Sequence, residues 1–428
     1  MADFFHYQDH QLYCEDVPIE QIAQQLGTPI YIYSAATFKD HYRKLSDAFS
    51  ELDPLICYSV KSCGNINICR ILAHMDSGFD VVSGGELFRV LQAGGKAQRV
   101  VYAGVGKTDD EIRQAIEAGI CLFNIESEAE LENIINITAN MGQKVHAALR
   151  LNPDVDPKTH RHTTTGKKET KFGVDLERAA GVFETYGRNK FVKLTGIHIH
   201  IGSPINNVEP YVQALQKTLA FIEALRHKGY TVDALDIGGG FGADYTADEA
   251  PAAADYAAAI VPLLRDKNLR LILEPGRSIS ANAGILLCRV LYLKKGGDKT
   301  FAVIDAAMND LIRPVLYDAF HFIWPVRVDD KFVIKQRHDP MKIEDLQRYD
   351  VVGPICETGD CLAKDRLLPP VQRGDLLAIF TAGAYGFAMS SQYNARCRAA
   401  EVLVEGSRFR LIRKRETYED LIAHERLS

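Results

Sequence analysis

No stretch of the 428-residue chain approaches the roughly 18 consecutive apolar residues that a membrane span requires, so a transmembrane protein is not expected. The opening MADFFHYQDH lacks the basic n-region and apolar h-region of a secretory signal. Cysteine pairing is missing too. The nine cysteines are odd in number and scattered, with no C-x-x-C pair and no zinc spacing. That pattern suits reduced thiols in the cytoplasm better than a disulfide framework. Positive charge is not in excess, and a net charge of -6 argues against nucleic acid or an anionic membrane surface as partner. What remains is enzyme-like: 46% hydrophobic and 25% charged residues, over a length that favours two or three domains.

Along the chain one unit recurs: an apolar strand, a small or polar turn, then an amphipathic helix. Strand-like runs fall at 55–61, 78–83, 99–105, 121–127, 145–152, 194–202, 234–240 and 269–276. Segments such as GELFRVLQAG, TDDEIRQAIEAG and SEAELENIINITANMG separate them, each with apolar positions at helical spacing and a glycine stop. Eight such units predict an α/β fold, a TIM-like (β/α)8 barrel. A doubly wound open sheet is the alternative, but no dinucleotide fingerprint follows the first strand. After residue 278 the texture changes to strands with short polar turns and little helix, which predicts a C-terminal all-β domain joined by the N-terminal strands. The expected boundaries are 36–278 for the barrel, and 1–35 with 279–428 for the β domain. The longest polar insertion, Asn152 to Gly173, is placed as a lid or binding loop would be.

A barrel puts its chemistry at the carboxyl ends of its strands. Those positions hold Lys61, Asp80, His200, the run Gly238-Gly239-Gly240 and Glu274. Lys61 closes the apolar run LICYSVK, where an ammonium leaving an apolar wall can lose its proton and act as a nucleophile. A strand-end lysine can equally snorkel into solvent. GGGFG after the seventh strand and EPGR after the eighth sit where barrels bind phosphate, since bare backbone lets N–H groups approach an anion. His198 and His200 share a strand face, and an HxH pair can ligate metal. No further ligands stand at metal spacing, and His160 and His162 lie on the long insertion, so no metal is expected. His200 instead offers a flat ring to stack on a planar ligand. Glu274 ends an apolar strand, so its charge needs a cation: Arg277 nearby, or a protonated heteroaromatic nitrogen. A lysine nucleophile, a phosphate site, a stacking imidazole and a carboxylate for a pyridinium nitrogen together describe pyridoxal 5'-phosphate (PLP).

The chain resembles the fold-type III PLP-dependent decarboxylases, and among them the branch that acts on meso-diaminopimelate, over essentially its whole length. The motifs are YSVKS around Lys61, FDVVSGGEL around Asp80, KFG at 171–173, HIHIGS, DIGGGFG, EPGR, GPICETGD, AGAYGFAMSSQYN and AAEVLV. Cys397 stands where the family usually has proline. The resemblance implies a homodimer with shared active sites. It makes Lys61 the Schiff-base lysine, stacks His200 on the ring and pairs Glu274 with the ring nitrogen. Asp80 is one of the cofactor-site residues. Ser203, Gly240, Gly276 and Arg277 become phosphate contacts, with Tyr385 reaching the same site. Arg277, Arg313 and Tyr317 become ligands for the substrate's distal carboxylate. Cys356 becomes the proton donor and Glu357 the holder of the distal amine, both from the other subunit. The implied reaction is decarboxylation of meso-diaminopimelate at its D centre to L-lysine. The rival is a relative that decarboxylates ornithine, arginine or D-amino acids on the same scaffold; Arg313 and Tyr317 together with Glu357 favour a substrate with both a second carboxylate and a distal amine. A racemase usually meets the ring nitrogen with arginine, and a silent homologue needs neither Lys61 nor Cys356.

Overall fold

The computed structural model describes residues 3–156, 171–246, 250–338 and 341–427. Among them, no helix is long and apolar enough to cross a membrane. The chain forms two compact units: His41–Gly242 with Ala250–Ser278, and Met1–Asp40 with Ala243–Glu249 and Ile279–Ser428.

The first unit is a closed parallel barrel. Its strands are β1 (Leu55–Ser59), β2 (Gly78–Val81), β3 (Val100–Tyr102), β4 (Leu122–Ile125), β5 (Val145–Leu151), β6 (Val192–Ile199), β7 (Ala234–Asp236) and β8 (Arg270–Leu273). They pair in chain order, and β8 closes on β1 through Ile272 and Leu55. Side chains of a strand alternate with period two. Leu55, Cys57, Val101, Leu122, Ala148 and Ile272 therefore meet in one buried cluster within the barrel. Tyr58 takes the opposite face and meets the edge of Phe79. Two residues past the cluster members, the same parity brings Ser59, Asn124, Arg150 and Glu274 to the next layer, all buried. An apolar floor thus carries a polar layer at the carboxyl end. The three helix-like segments named above form helices. Asp109–Ala118 shows the sequence logic most fully: Thr108 and Glu111 make a reciprocal capping box, and Gly119 ends it in the left-handed conformation at φ 70°.

The first predicted strand is shorter than its apolar run. It ends at Ser59, and Lys61 sits in a 3-10 turn, Val60–Ser62. The Ser62 hydroxyl donates to the Ser59 carbonyl at 2.8 Å, a local bond that competes with the ladder and bends the chain out of it. Of the long insertion, 157–170 fall outside the described residues, His160 and His162 included.

The second unit is mostly sheet, as its texture predicts. Ile30–Ser34 lies in the middle of a nine-stranded sheet, antiparallel to Gly284–Gly296 and parallel to Ala400–Glu405. Phe5–Gln8, Gln11–Cys14 and Val17–Pro18 form a separate small sheet. Two features are not evident from the sequence texture. GPICET does not continue a strand: Gln347–Val352 stops before it and pairs with Cys361–Leu368, so the segment is the connection of an antiparallel pair. Cys361–Leu368 itself, with its alternating charges, is a strand that apolar runs do not reveal.

Ile272 is 1% exposed within the barrel cluster. Ile272→Ala is expected to cost about 2–5 kcal/mol. Chemical denaturation would show it as a lower midpoint of the barrel's transition, and an unchanged midpoint would contradict the interior placement.

Candidate active site

The rim of the barrel unit brings together Lys61, Asp80, His200, Ser203, Gly240, Glu274, Gly276 and Arg277, each just past or at the end of a strand. The turn after β1 aims the Lys61 ammonium at Asp80, Nζ to Oδ2 being 2.8 Å. The lysine side chain is 37% exposed and the aspartate fully buried, so one end of the pair is open to a ligand. The Ser59 hydroxyl lies 2.7 Å from the same carboxylate oxygen and 3.0 Å from the Glu274 carbonyl. Burial and then the charge of Glu274 raise the pKa of Asp80, while Lys61 opposes them. Asp80 Oδ1 is buried with no hydrogen-bond partner among the described residues.

Glu274 is 4% exposed. Its Oε1 accepts from the Asn124 amide at 3.0 Å, and its Oε2 lies 3.4 Å from His198 Nε2. Burial alone would raise its pKa, but His198 and Lys61 outweigh it and hold the carboxyl well below the usual carboxylate range. The cation that the sequence demands is therefore not simply Arg277, whose Nε donates to Ser203 Oγ at 3.2 Å. His200 accepts the Gly239 N–H on Nδ1 at 3.3 Å, which puts the proton of a neutral ring on Nε2. Burial first, then Arg150 and Lys61, push its pKa well below the usual value and keep it neutral. The glycines of the rim are needed by close approach. A Cβ on Gly240, at φ 105°, would fall 2.4 Å from the Gly202 carbonyl, and one on Gly276 would lie 2.9 Å from Ser59 Cβ.

These residues fit PLP. They offer an amine, an ionised buried carboxylate, a neutral imidazole, and glycine turns beside a hydroxyl and a guanidinium. The orphaned Asp80 oxygen leaves polar capacity that the protein itself does not fill.

Several residues here escape a reading of motifs alone. His198 is buried and faces Glu274. Asp236 joins them, and one atom each of His198, Asp236 and Glu274 lie within 4.8 Å of one another. Asn124 bridges the two acids. Glu126 and Arg150 form a buried pair at 2.6 Å; Glu126 also accepts the Gly173 N–H, and the Arg150 guanidinium lies 4.6 Å above Phe172. This explains the KFG motif as the anchored end of the long insertion. Glu86, in the FDVVSGGEL motif, is pushed up to about 7, chiefly by burial. Strand parity is the signal that finds Asn124 and Arg150, two residues beyond an inward apolar one.

Arg313, Tyr317, Cys356, Glu357 and Tyr385 belong to the second unit. Arg313 is buried on the short helix Arg313–Tyr317, donates to His321 Nε2 at 2.9 Å and stacks over Tyr245. His321 Nδ1 lies 2.9 Å from the Phe380 carbonyl, which can only accept, so the imidazole proton is on Nδ1 and Nε2 is bare for Arg313. Tyr317 is half-buried on the same helix. Cys356 is exposed in the GPICETGD connection, its N–H donating to Asn394 Oδ1. Glu357 accepts from the Tyr393 hydroxyl at 2.8 Å, and Asp360 pins the turn through the N–H groups of Ile355 and Met308. Tyr385 has φ 56° and packs on Ala243, Tyr245, Ala281 and Ala384.

The barrel and its rim define the class, that of the PLP-dependent enzymes of barrel fold. Residues 35–281 match the family described as pyridoxal-dependent decarboxylase, pyridoxal binding domain. The chain is 46% identical to the diaminopimelate decarboxylase of Pseudomonas aeruginosa over 425 residues, 99% of each chain. Among solved structures, diaminopimelate decarboxylase from Helicobacter pylori complexed with L-lysine matches with TM-score 0.89 and 40% identity, over 95% of this chain and 98% of that one. The M. jannaschii diaminopimelate decarboxylase in complex with L-lysine gives TM-score 0.92 and 35% identity, over 100% and 98%. The chain belongs to the diaminopimelate decarboxylase family of pyridoxal-dependent decarboxylases.

Two outcomes follow from this electrostatics. Arg150→Met strands the Glu126 charge and is expected to cost about 3–5 kcal/mol, read as a drop in thermal and denaturant midpoints. Glu86 has a raised folded pKa, so the stability of its neutral form is complete below about pH 4 and lost as pH rises through about 7. Glu86→Gln should flatten the stability–pH curve across that window; a curve parallel to wild type would contradict the burial of this carboxyl.

Proposed function

We propose that this enzyme decarboxylates meso-2,6-diaminopimelate at its D centre, giving L-lysine and CO2 in the last step of lysine biosynthesis. The observation that carries the reading is the pairing of an open-ended Lys61–Asp80 contact with an ionised Glu274 in one buried rim. Bound PLP supplies the electron sink that takes up the pair left when the carboxylate departs as CO2. Lys61 supplies the amine toward the cofactor's carbonyl, and Asp80 holds its ammonium in place until then. Glu274 would meet the ring nitrogen and hold a proton there. His200, neutral and flat, would lie against the ring without adding charge. Ser203, Gly240, Gly276 and Arg277 would hold the phosphate, with Tyr385.

The substrate's second carboxylate goes to Arg277, Arg313 and Tyr317. The fixed tautomer of His321 supports this, because its bare Nε2 orients the Arg313 guanidinium. In a homodimer with shared sites, Cys356 delivers the proton to the alpha carbon and Glu357 holds the distal amine. The exposure of Cys356 on a connecting turn supports a role across a subunit boundary. All nine cysteines are free thiols, which suits a cytoplasmic enzyme.

Release of CO2 should be rapid from meso-diaminopimelate and slower by at least roughly a hundredfold from ornithine, arginine or D-lysine, which lack the second carboxylate. Comparable release from ornithine would overturn the substrate assignment. Lys61→Ala should abolish turnover, and Glu274→Gln should lose on the order of a hundredfold or more in kcat with PLP still bound. Full activity of Glu274→Gln would mean the ring nitrogen is held by another group.

A further inference from the structure

Behind the carboxylate of Glu274 lies a second one that the proposed reaction does not use. Asp236 ends β7 and is fully buried, as are Asn124 and His198 to within 1%. The single amide nitrogen of Asn124 donates to Asp236 Oδ2 at 3.1 Å and to Glu274 Oε1 at 3.0 Å. Two acids are therefore tethered to one donor atom, out of reach of water.

We propose that Asp236 carries a proton and, with Glu274, forms a carboxylic acid–carboxylate pair that fixes the charge offered to the ring nitrogen at a single negative. Two carboxylates this close in a dry site do not both ionise. Geometry also says which one keeps the proton. Glu274 has His198 Nε2 at 3.4 Å and lies under the influence of Lys61. Asp236 has only neutral donors, Asn124 and the Gly238 N–H at 2.8 Å, and among the described residues no cation lies within ion-pair distance of it. The directions of titration agree: burial and then the charge of Glu274 raise Asp236 well above the carboxylate range.

The other titratable groups facing the pair are Cys57 on β1 and, further out, Lys61 and Asp80. The Cys57 thiol is itself held neutral, chiefly by burial, so it adds no further negative charge. Asp236 is thus a positioning residue. Its proton points at Glu274, and the pair titrates as a unit in two separated steps, holding one proton between them. A doubly charged pair would pull the ring nitrogen's proton too strongly to the protein, and an uncharged one would release it.

Only the catalytic consequence rests on Glu274 facing the ring of PLP; the protonation of Asp236 does not. Infrared difference spectroscopy of the holoenzyme, wild type minus Asp236→Asn at neutral pH, tests the state directly. A carboxylic-acid C=O band present in wild type and lost in Asp236→Asn is expected, whereas loss of carboxylate bands instead would overturn the proposal. If Asp236→Asn does not fold, Glu274→Gln serves with [13C]aspartate labelling. Removing the neighbouring charge should shrink the aspartic-acid band at the same pH, and a band it leaves untouched would refute the pairing.

Turnover adds the role. Asp236→Leu should lower kcat roughly tenfold or more and displace its pH profile, with Asp236→Asn, which restores an N–H donor, recovering most of both. Equal losses in the two variants with an unmoved profile would reduce Asp236 to packing. The infrared result stands whichever amino acid is decarboxylated, so it separates failure of this inference from failure of the substrate assignment.

Discussion

The constraint on which the barrel unit depends is the period of two along its strands once the sheet is closed. Closure leaves no free choice of face: every second side chain must enter the lumen. Leu55, Cys57, Val101, Leu122, Ala148 and Ile272 fill it at one level. At the next level the same parity admits Ser59, Asn124, Arg150 and Glu274, with no water to solvate them. Everything distinctive about the site follows from having polar groups delivered to a dry layer by strands that cannot turn away.

A dry layer has to balance its own charge. Arg150 is matched by Glu126 and Lys61 by Asp80, while Glu274 accepts from the Asn124 amide with His198 Nε2 3.4 Å away. Such buried pairs add little net stability over apolar packing, yet they are costly to break. Their use lies in geometry: each fixes a side chain whose rotamer would otherwise wander. Arg150 shows this outside the cofactor site, holding Phe172 under its guanidinium and Gly173 through Glu126.

Much of this is legible in the sequence, and the limits have physical causes. Glycine stops and helical spacing mark the barrel's repeating units, because those signals are local. The rim residues Lys61, Asp80, His200 and Glu274 stand out because barrel topology says where to look. Asn124, Asp236 and Glu126 do not stand out, since a buried polar residue looks like an exposed one until its strand's parity and neighbours are known. The strand Cys361–Leu368 is hidden for the converse reason: three consecutive charges, KDR within CLAKDRLL, interrupt its apolar run. The 3-10 turn that carries Lys61 depends on one side-chain hydrogen bond from Ser62, below the resolution of any propensity. The residues Arg313, Tyr317, Cys356, Glu357 and Tyr385 are reached through family resemblance, not through composition or spacing.

The place of Ile30–Ser34 has a consequence for how the protein comes into being. This early strand pairs with Gly284–Gly296 on one side and Ala400–Glu405 on the other. On the ribosome, neither neighbour exists until most of the chain has been made, whereas each barrel strand needs only the next one or two. The barrel can assemble as it emerges, closing once β8 arrives to meet β1. IYIYS, an apolar strand with two open edges, must meanwhile wait unpaired, and such segments invite aggregation. The sheet's completion is therefore a late, long-range event with a high loop-closure cost. Yield in the cell would be governed by how long that one strand is left without company.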